Sequence, residues 1–350
     1  MASPELLRSL LDGLHYSGAT TLARNIFKGR GVIYCLHHVL HGGGREQGFA
    51  PNAKLECEPE FLERLIELSR HRGLETVSLA EAVWRLQNND TKPFAVFTLD
   101  DGYKDNQQFA QPVFDRLNCP YTIFIAPRIA DGTSELWWRL LEFVVAKVDR
   151  FTATIGGMVF DLPAQTEAEK WAAWPKLLAA VENLEQFEQR HFVRALCAKH
   201  GIDPDGYCAK VAMSWDELRA INKDKLCTIG AHTLNHHSVA KMNEADAKRE
   251  LEASRLIIAK ELGQDIQFNA YPYGDEPNAG PRDFKLAAEA GYLASVTTRK
   301  GVIFKEHAAH LQALPRIMIS GRYQELRYVE ALISGLPTAL LNRFRKVNVT

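Results

Sequence analysis

Two aspartates and two histidines carry the first chemical signal. Asp100 and Asp101 follow an apolar run at 94–99 and precede Gly102-Tyr103. Alone, Asp-Asp-Gly reads as a turn, because Asp and Gly tolerate turn geometry. A second apolar run, 227–230, leads into Ala231-His232-Thr233-Leu234-Asn235-His236-His237. If a helical turn follows that run, His232 and His236 share one face and can converge on one metal, while His237 is turned about 100° away. That spacing is a metal-ligand pattern. A divalent ion held by two His and one carboxylate keeps positions open for water and a substrate oxygen. A second carboxylate outside the ligand set can take the water's proton, and a further His can protonate a leaving group. Neighbouring side chains at a strand end point in different directions, so Asp100 and Asp101 can divide ligand and base duties.

Such chemistry needs several strand ends gathered on one face. Apolar runs at 31–39, 93–101, 120–127, 226–233, 267–274, 293–298 and 314–319 alternate with helical patterns at 59–70, 79–87, 106–117, 242–262, 283–290 and 323–332. Ser214 with Glu217 three residues on marks another helix start. Strands alternating with helices imply a parallel sheet, and seven of them suggest a barrel rather than an open wound sheet. In parallel α/β barrels the catalytic face lies at the C-terminal ends of the strands. The polar residues fall there: His37-His38 after the first run, Asp100-Asp101 after the second, His232 and His236 after the fourth, and Tyr271-Pro272-Tyr273-Gly274-Asp275 at the fifth. Arg316 stands near the start of the last run.

The rhythm breaks between about 134 and 211, which reads as a mainly helical insertion between two barrel strands. It contains an expected hairpin at 152–161 around Gly156-Gly157 and one long or two shorter helices at 167–200. A lid or side wall, or packing without substrate contact, are its alternative roles. Residues 4–29 read as an amphipathic helix, with Leu6, Leu7, Leu10, Leu11 and Leu14 at helical spacing and Arg24, Lys28 and Arg30 near its end. The organisation expected is an N-terminal helix at 1–30, a barrel at 31–335 and a basic tail at 336–350 bearing Arg343, Arg345 and Lys346.

Composition narrows the classes. The 350 residues are 46% hydrophobic and 24% charged, which excludes a disordered scaffold. The formal net charge of −1 leaves no basic field to hold nucleic acid. No run reaches the roughly 18–20 apolar residues that span a bilayer, since 136–148 is broken by Arg139, Glu142 and Lys147. The first residues lack a signal-peptide pattern, and the six cysteines form no Cys-x-x-Cys pair. A cytoplasmic protein is expected, with peripheral attachment to the inner membrane face through the leucine-rich helix and basic tail as an option.

Residues 98–103, 232–236 and 270–274 resemble the first three motifs of the polysaccharide deacetylase family (the NodB homology domain, carbohydrate esterase family 4). The resemblance runs from about residue 31 to 319 and skips the insertion. It implies a distorted (β/α)7 barrel and metal-dependent removal of acetyl groups, chiefly from N-acetylated sugars. By position it implies Asp101, His232 and His236 as metal ligands, with zinc favoured and cobalt or nickel as alternatives. It also implies Asp100 as general base, the Tyr103 backbone N–H as an oxyanion donor, and Tyr271, Pro272 and Tyr273 at the substrate; Arg316 joins that substrate set from its position alone.

Many members carry a general-acid His near the C-terminus, where this chain has Ile317-Met318-Ile319-Ser320. The branch that includes bacterial poly-N-acetylglucosamine deacetylases uses a His on the first strand instead. Cys35-Leu36-His37-His38-Val39 is similar to that version and nominates His37, with His38 the alternative. Leu99 replaces the usual Phe. The usual Arg ahead of the third motif is absent, Gln267-Phe268-Asn269 standing there, so Arg316 either supplies that charge beside Asp100 or forms a structural ion pair. The function expected is metal-dependent de-N-acetylation of an N-acetylhexosamine-containing glycan or precursor. An O-acetyl esterase, a non-sugar amidase, and a glycan-binding or assembly protein are the alternatives. A glycosidase fits less well, because its two carboxylates flank the scissile bond from separate positions.

Overall fold

In the computed structural model, which describes residues 4–18, 20, 23, 26–44 and 48–349, seven parallel strands close into a barrel. They are β1 (Gly31–Leu36), β2 (Phe94–Leu99), β3 (Tyr121–Ile125), β4 (Cys227–Ala231), β5 (Phe268–Ala270), β6 (Ala294–Lys300) and β7 (Leu314–Met318). Each pairs with the next in the chain, and β7 returns to β1 through Tyr34 opposite Ile317 and Cys35 opposite Met318. Closure removes the free edges of an open sheet. Every residue of β1, β2 and β3 is buried, as expected of parallel strands covered on both faces, and this is why they read as unbroken apolar runs. The ring is uneven. β5 has only three residues and meets β4 at Asn269 opposite Ala231, and the β6–β7 register shifts between Val296 and Lys300.

Helices cover the outside. Pro59–His71 presents Phe61, Leu62, Leu65 and Ile66 to the barrel wall. Ser78 caps Leu79–Gln87, Ser214 and Glu217 form a reciprocal capping box at the start of Trp215–Ile221, and Asn243 caps Glu244–Leu262. Three readings change. The expected helix at 106–117 opens with a wider turn at Asn106–Ala110 before Gln111–Arg116. The N-terminal helix runs Pro4–Tyr16 instead of reaching residue 29, because Gly18 takes a left-handed φ of 72° that ends it. Residues 19, 21, 22, 24 and 25, Arg24 among them, lie outside the described residues, as do the side chains of Leu6 and Leu7. The C-terminal tail begins with a helix, Leu336–Leu341.

The insertion leaves between β3 and β4. It consists of helix Trp137–Lys147, a hairpin of Arg150–Ile155 and Met158–Pro163, and helices Glu167–Glu182, Gln186–Lys199 and Asp205–Val211. The hairpin turns through Gly156 and Gly157, both at positive φ, which suits the twist of its strands. Its own core of Leu140, Leu141, Val144, Phe151, Leu177, Val181 and Val193 is continuous with Tyr103, Ala126 and Ile129 at the barrel mouth. The insertion is therefore packed against the face where the strands end.

Leu177 is fully buried in that core. Leu177→Ala is expected to cost about 2–5 kcal/mol, read as a lower midpoint in chemical denaturation.

Candidate metal centre and catalytic site

The site begins where β2 stops. The chain turns sharply through Asp101 at φ 73° and Gly102 at φ 68°. A Cβ on Gly102 would lie 2.8 Å from Ile125 Cγ2, so glycine is needed both for the angle and for the approach of β3. The turn sends two neighbouring carboxylates to different partners, as their adjacency suggested.

Asp101 faces two imidazoles. Its Oδ1 lies 3.1 Å from His236 Nε2 and 3.6 Å from His232 Nε2, and the three ligand atoms lie within 4.8 Å of one another. His232 Nδ1 is 2.7 Å from the Ala270 carbonyl oxygen; the ring donates there and leaves the Nε2 lone pair directed at the cluster. The segment after β4 is not the helical turn that the spacing suggested. Thr233 and His236 both take left-handed φ values, 58° and 57°, and this loop folds the second imidazole back toward the first. Glu250 accepts from the Asn235 backbone N–H at 2.9 Å, and insertion residue Arg190 donates to the His236 carbonyl at 3.1 Å and the Glu135 carbonyl at 2.7 Å. His237 turns away, its Nδ1 3.5 Å from Glu250 Oε1.

The electrostatics suit a cation. Burial pushes the His232 imidazole down to about 4, so its ring is neutral and able to ligate. Burial alone would raise the Asp101 carboxyl, but His236, His37 and His232 together draw it far below the usual carboxylate range. All three residues are buried, and Asp101 Oδ1 has no hydrogen-bond donor among the described residues. Two imidazole nitrogens around an unbonded carboxylate oxygen fit zinc, cobalt or nickel.

Asp100 faces Arg316. Two bonds of 2.7 Å join Nη1 to Oδ1 and Nη2 to Oδ2, and the guanidinium also donates to Thr98 Oγ1 at 3.0 Å and the Thr297 carbonyl at 2.9 Å. Burial raises the Asp100 carboxyl and the Arg316 charge and hydrogen bonds outweigh it, so the group is held ionised. A second group, Cys35, His37 and Asp100, also gathers within 4.8 Å. It is a poor metal site, because both Asp100 oxygens are taken by Arg316. Burial also pushes the Cys35 thiol well up, which keeps its proton on sulfur.

His37 and His38 separate clearly. His37 joins the Asp100 group, its backbone carbonyl held by Asn106 Nδ2 at 2.7 Å. His38 turns the other way, with Nδ1 2.6 Å from Asp105 Oδ2 and its ring stacked on Tyr103 at 3.6 Å.

The residues expected at the substrate fall differently. Arg316 is fully buried and committed to Asp100, Thr98 and Thr297, so it positions Asp100 and offers no surface to a sugar. Tyr271 is also fully buried, its hydroxyl donating to the Gln312 carbonyl at 3.1 Å, and Pro272 is buried beside it. Tyr273 borders the metal ligands, 5.2 Å from the His236 ring, its hydroxyl accepting from Trp137 Nε1 at 2.7 Å. Sequence reasoning missed Arg190 and Trp138. The Trp138 ring lies 5.0 Å from His236, and its N–H, like the Tyr103 hydroxyl, is buried without a partner among the described residues. The Trp137-Trp138 pair opening an insertion helix was the one visible signal.

The polysaccharide deacetylase family model matches residues 87–294, and the chain belongs to that family; it is a metal-site hydrolase of the deacetylase class. Solved structures agree in fold. The Streptococcus pyogenes deacetylase PplD in complex with acetate is 14% identical, with 87% of this chain and 97% of that one covered at a TM-score of 0.54. IcaB from Ammonifex degensii is 16% identical, with 87% and 97% covered at 0.53. A de-N-acetylase from Aggregatibacter actinomycetemcomitans is 13% identical, with 86% and 99% covered at 0.54. No curated protein matches the chain by sequence.

Removing the charge partner of Asp100 raises that carboxyl, and the base role that the resemblance implies for Asp100 works only when it is deprotonated. In Arg316→Met the acidic limb of the pH–kcat/KM profile is therefore expected to move to higher pH. Leaving a buried carboxylate unpaired also costs about 3–5 kcal/mol of stability, and Arg316→Lys should show a smaller shift of the same sign.

Proposed function

We propose that this chain is a metal-dependent de-N-acetylase of an N-acetylhexosamine-containing glycan or glycan precursor. The observation that carries the reading is the split of adjacent buried carboxylates: Asp101 to two imidazoles, Asp100 to a guanidinium, with His37 beside Asp100. Held by Asp101, His232 and His236, zinc (or cobalt or nickel) would polarise the amide carbonyl and acidify water. Asp100, fixed and ionised by Arg316, takes the proton of the attacking water. The Tyr103 backbone N–H donates to the carbonyl oxygen as it gains charge. His37 delivers a proton to the amine nitrogen as the C–N bond breaks, giving acetate and a free amino sugar. Burial pushes the His37 imidazole down, so the ring starts neutral at pH 7 and takes up its proton during turnover, with Asp100 in the same cluster as the nearest carrier.

His37 as a first-strand acid supports the branch that the resemblance suggested. Sugar oxygens are the acceptors we assign to the unpartnered Trp138 N–H and Tyr103 hydroxyl. An insertion packed on the barrel mouth supports a short or terminal N-acetylated sugar over a long polymer interior. The cytoplasm is the compartment we propose, supplying lipid-linked intermediates or small N-acetylated saccharides; the six free thiols fit reducing surroundings.

Acetate release from N-acetylglucosamine oligomers tests the roles. Asp100→Asn and His37→Gln are each expected to slow it by about 10²–10⁴-fold with bound metal unchanged, while His38→Gln stays close to the parent. Loss in His38→Gln with His37→Gln active would move the acid to His38. Release from O-acetylated glycans alone would replace the amide with an ester.

A further inference from the structure

An apolar groove of about 410 Å³ lies between the N-terminal helix, β7 and the C-terminal helices. Leu10, Leu11, Ile317, Met318, Leu340 and Leu341 are among the residues lining it, and none of the metal ligands does. Its apolar walls continue outward. Leu10 is 53% exposed, Leu340 46%, Leu341 64% and the adjoining Phe344 61%. Apolar surface of this kind, contiguous and rimmed by charge, marks an interaction site.

The rim is cationic. Lys300 lines the groove, and the Asn342 side chain donates to the Lys300 carbonyl at 2.8 Å, which ties the tail to that edge. Arg343 and Arg345 flank the exposed Phe344. Lys300, Arg343 and Arg345 have no carboxylate partner among the described residues, whereas nearby Arg327 and Lys346 are paired with Asp12 and Glu306. Protruding Leu and Phe side chains beside unneutralised Lys and Arg are the features of a surface that settles into the headgroup boundary of an anionic bilayer. A second copy fits less well, because a two-fold contact through this patch would bring the same cations face to face.

We infer that this face docks on an anionic lipid surface. Leu10, Leu340, Leu341 and Phe344 enter the acyl boundary while Lys300, Arg343 and Arg345 meet lipid phosphates. Attachment is peripheral, since no helix among the described residues is long and apolar enough to cross a membrane. The groove wall at Met318–Ser320 leaves the C-terminal end of β7, next to the β1 end that carries His37. The exposed anchors lie toward the other end of β1, where the Phe344 ring is 5.9 Å from that of Phe27, and Ile303, three residues past Lys300, pairs with Gly31.

Co-sedimentation of the full chain with phosphatidylcholine vesicles, with and without phosphatidylglycerol, tests the docking without any turnover. At least about tenfold stronger partition onto the anionic vesicles is expected, weakening with salt. The double variants Leu340→Glu/Leu341→Glu and Arg343→Glu/Arg345→Glu, all at exposed positions, should each lose about tenfold or more with circular dichroism unchanged. Equal partition on both vesicles, or none on either, overturns the inference. So does a concentration-dependent dimer in sedimentation velocity that Leu340→Glu abolishes, which would assign the face to a second copy. Failure to release acetate would count against the proposed function and leave this result intact.

Discussion

Asp100 and Arg316 meet in the interior of the barrel, both removed from water, joined by two hydrogen bonds of 2.7 Å. Burying a carboxylate and a guanidinium is costly unless the pair is bidentate and the remaining donors are satisfied. Here four of the five guanidinium N–H groups have acceptors: two on Asp100, one on Thr98 from β2 and one on the Thr297 carbonyl from β6. The pair links the ends of β2 and β7, which are separated in the ring by β1. Barrel closure and the site are thus one requirement. With Asp100 committed to Arg316, the left-handed turn at Asp101 and Gly102 aims the next carboxylate at the imidazoles.

The metal cluster depends on a second set of constraints. Its histidines come from one loop whose two left-handed residues have no helical ladder to hold them. Contacts from outside do so: the Ala270 carbonyl on His232, Glu250 on Asn235, and Arg190 reaching from the insertion to the His236 carbonyl. The insertion is therefore structural support for the metal loop as well as a wall of the site, and the Trp138 and Tyr273 rings sit against His236 from two directions.

Much of this was legible in the sequence. All seven strands were visible as apolar runs, because parallel strands buried on both faces leave no alternation to confuse with a helix. The Asp pair and the two histidines were visible because the chemistry needs those residue types at strand ends. Other features were not, each for a local reason. The spacing of His232 and His236 pointed to a helical turn, yet a four-residue separation is equally met by a loop with positive φ at Thr233 and His236. Tyr271 and Arg316 looked like substrate contacts from their place near the active face, but Tyr271 packs just past its strand against Phe284 and Arg316 is taken up by Asp100 and Thr98. Arg190 and Trp138 act from an insertion with no fixed spacing to the motifs, so only the tertiary structure brings them to the site.

The central claim is that Asp101, His232 and His236 bind one divalent ion while Cys35 and Asp100 stand outside its ligand set. X-ray absorption at the zinc edge of the stoichiometrically loaded protein tests this most directly. The account predicts nitrogen and oxygen neighbours at about 2.0–2.2 Å, with a two-imidazole scattering pattern and no sulfur shell. A sulfur neighbour near about 2.3 Å, or a spectrum unchanged in His232→Ala, would put the metal elsewhere and contradict it.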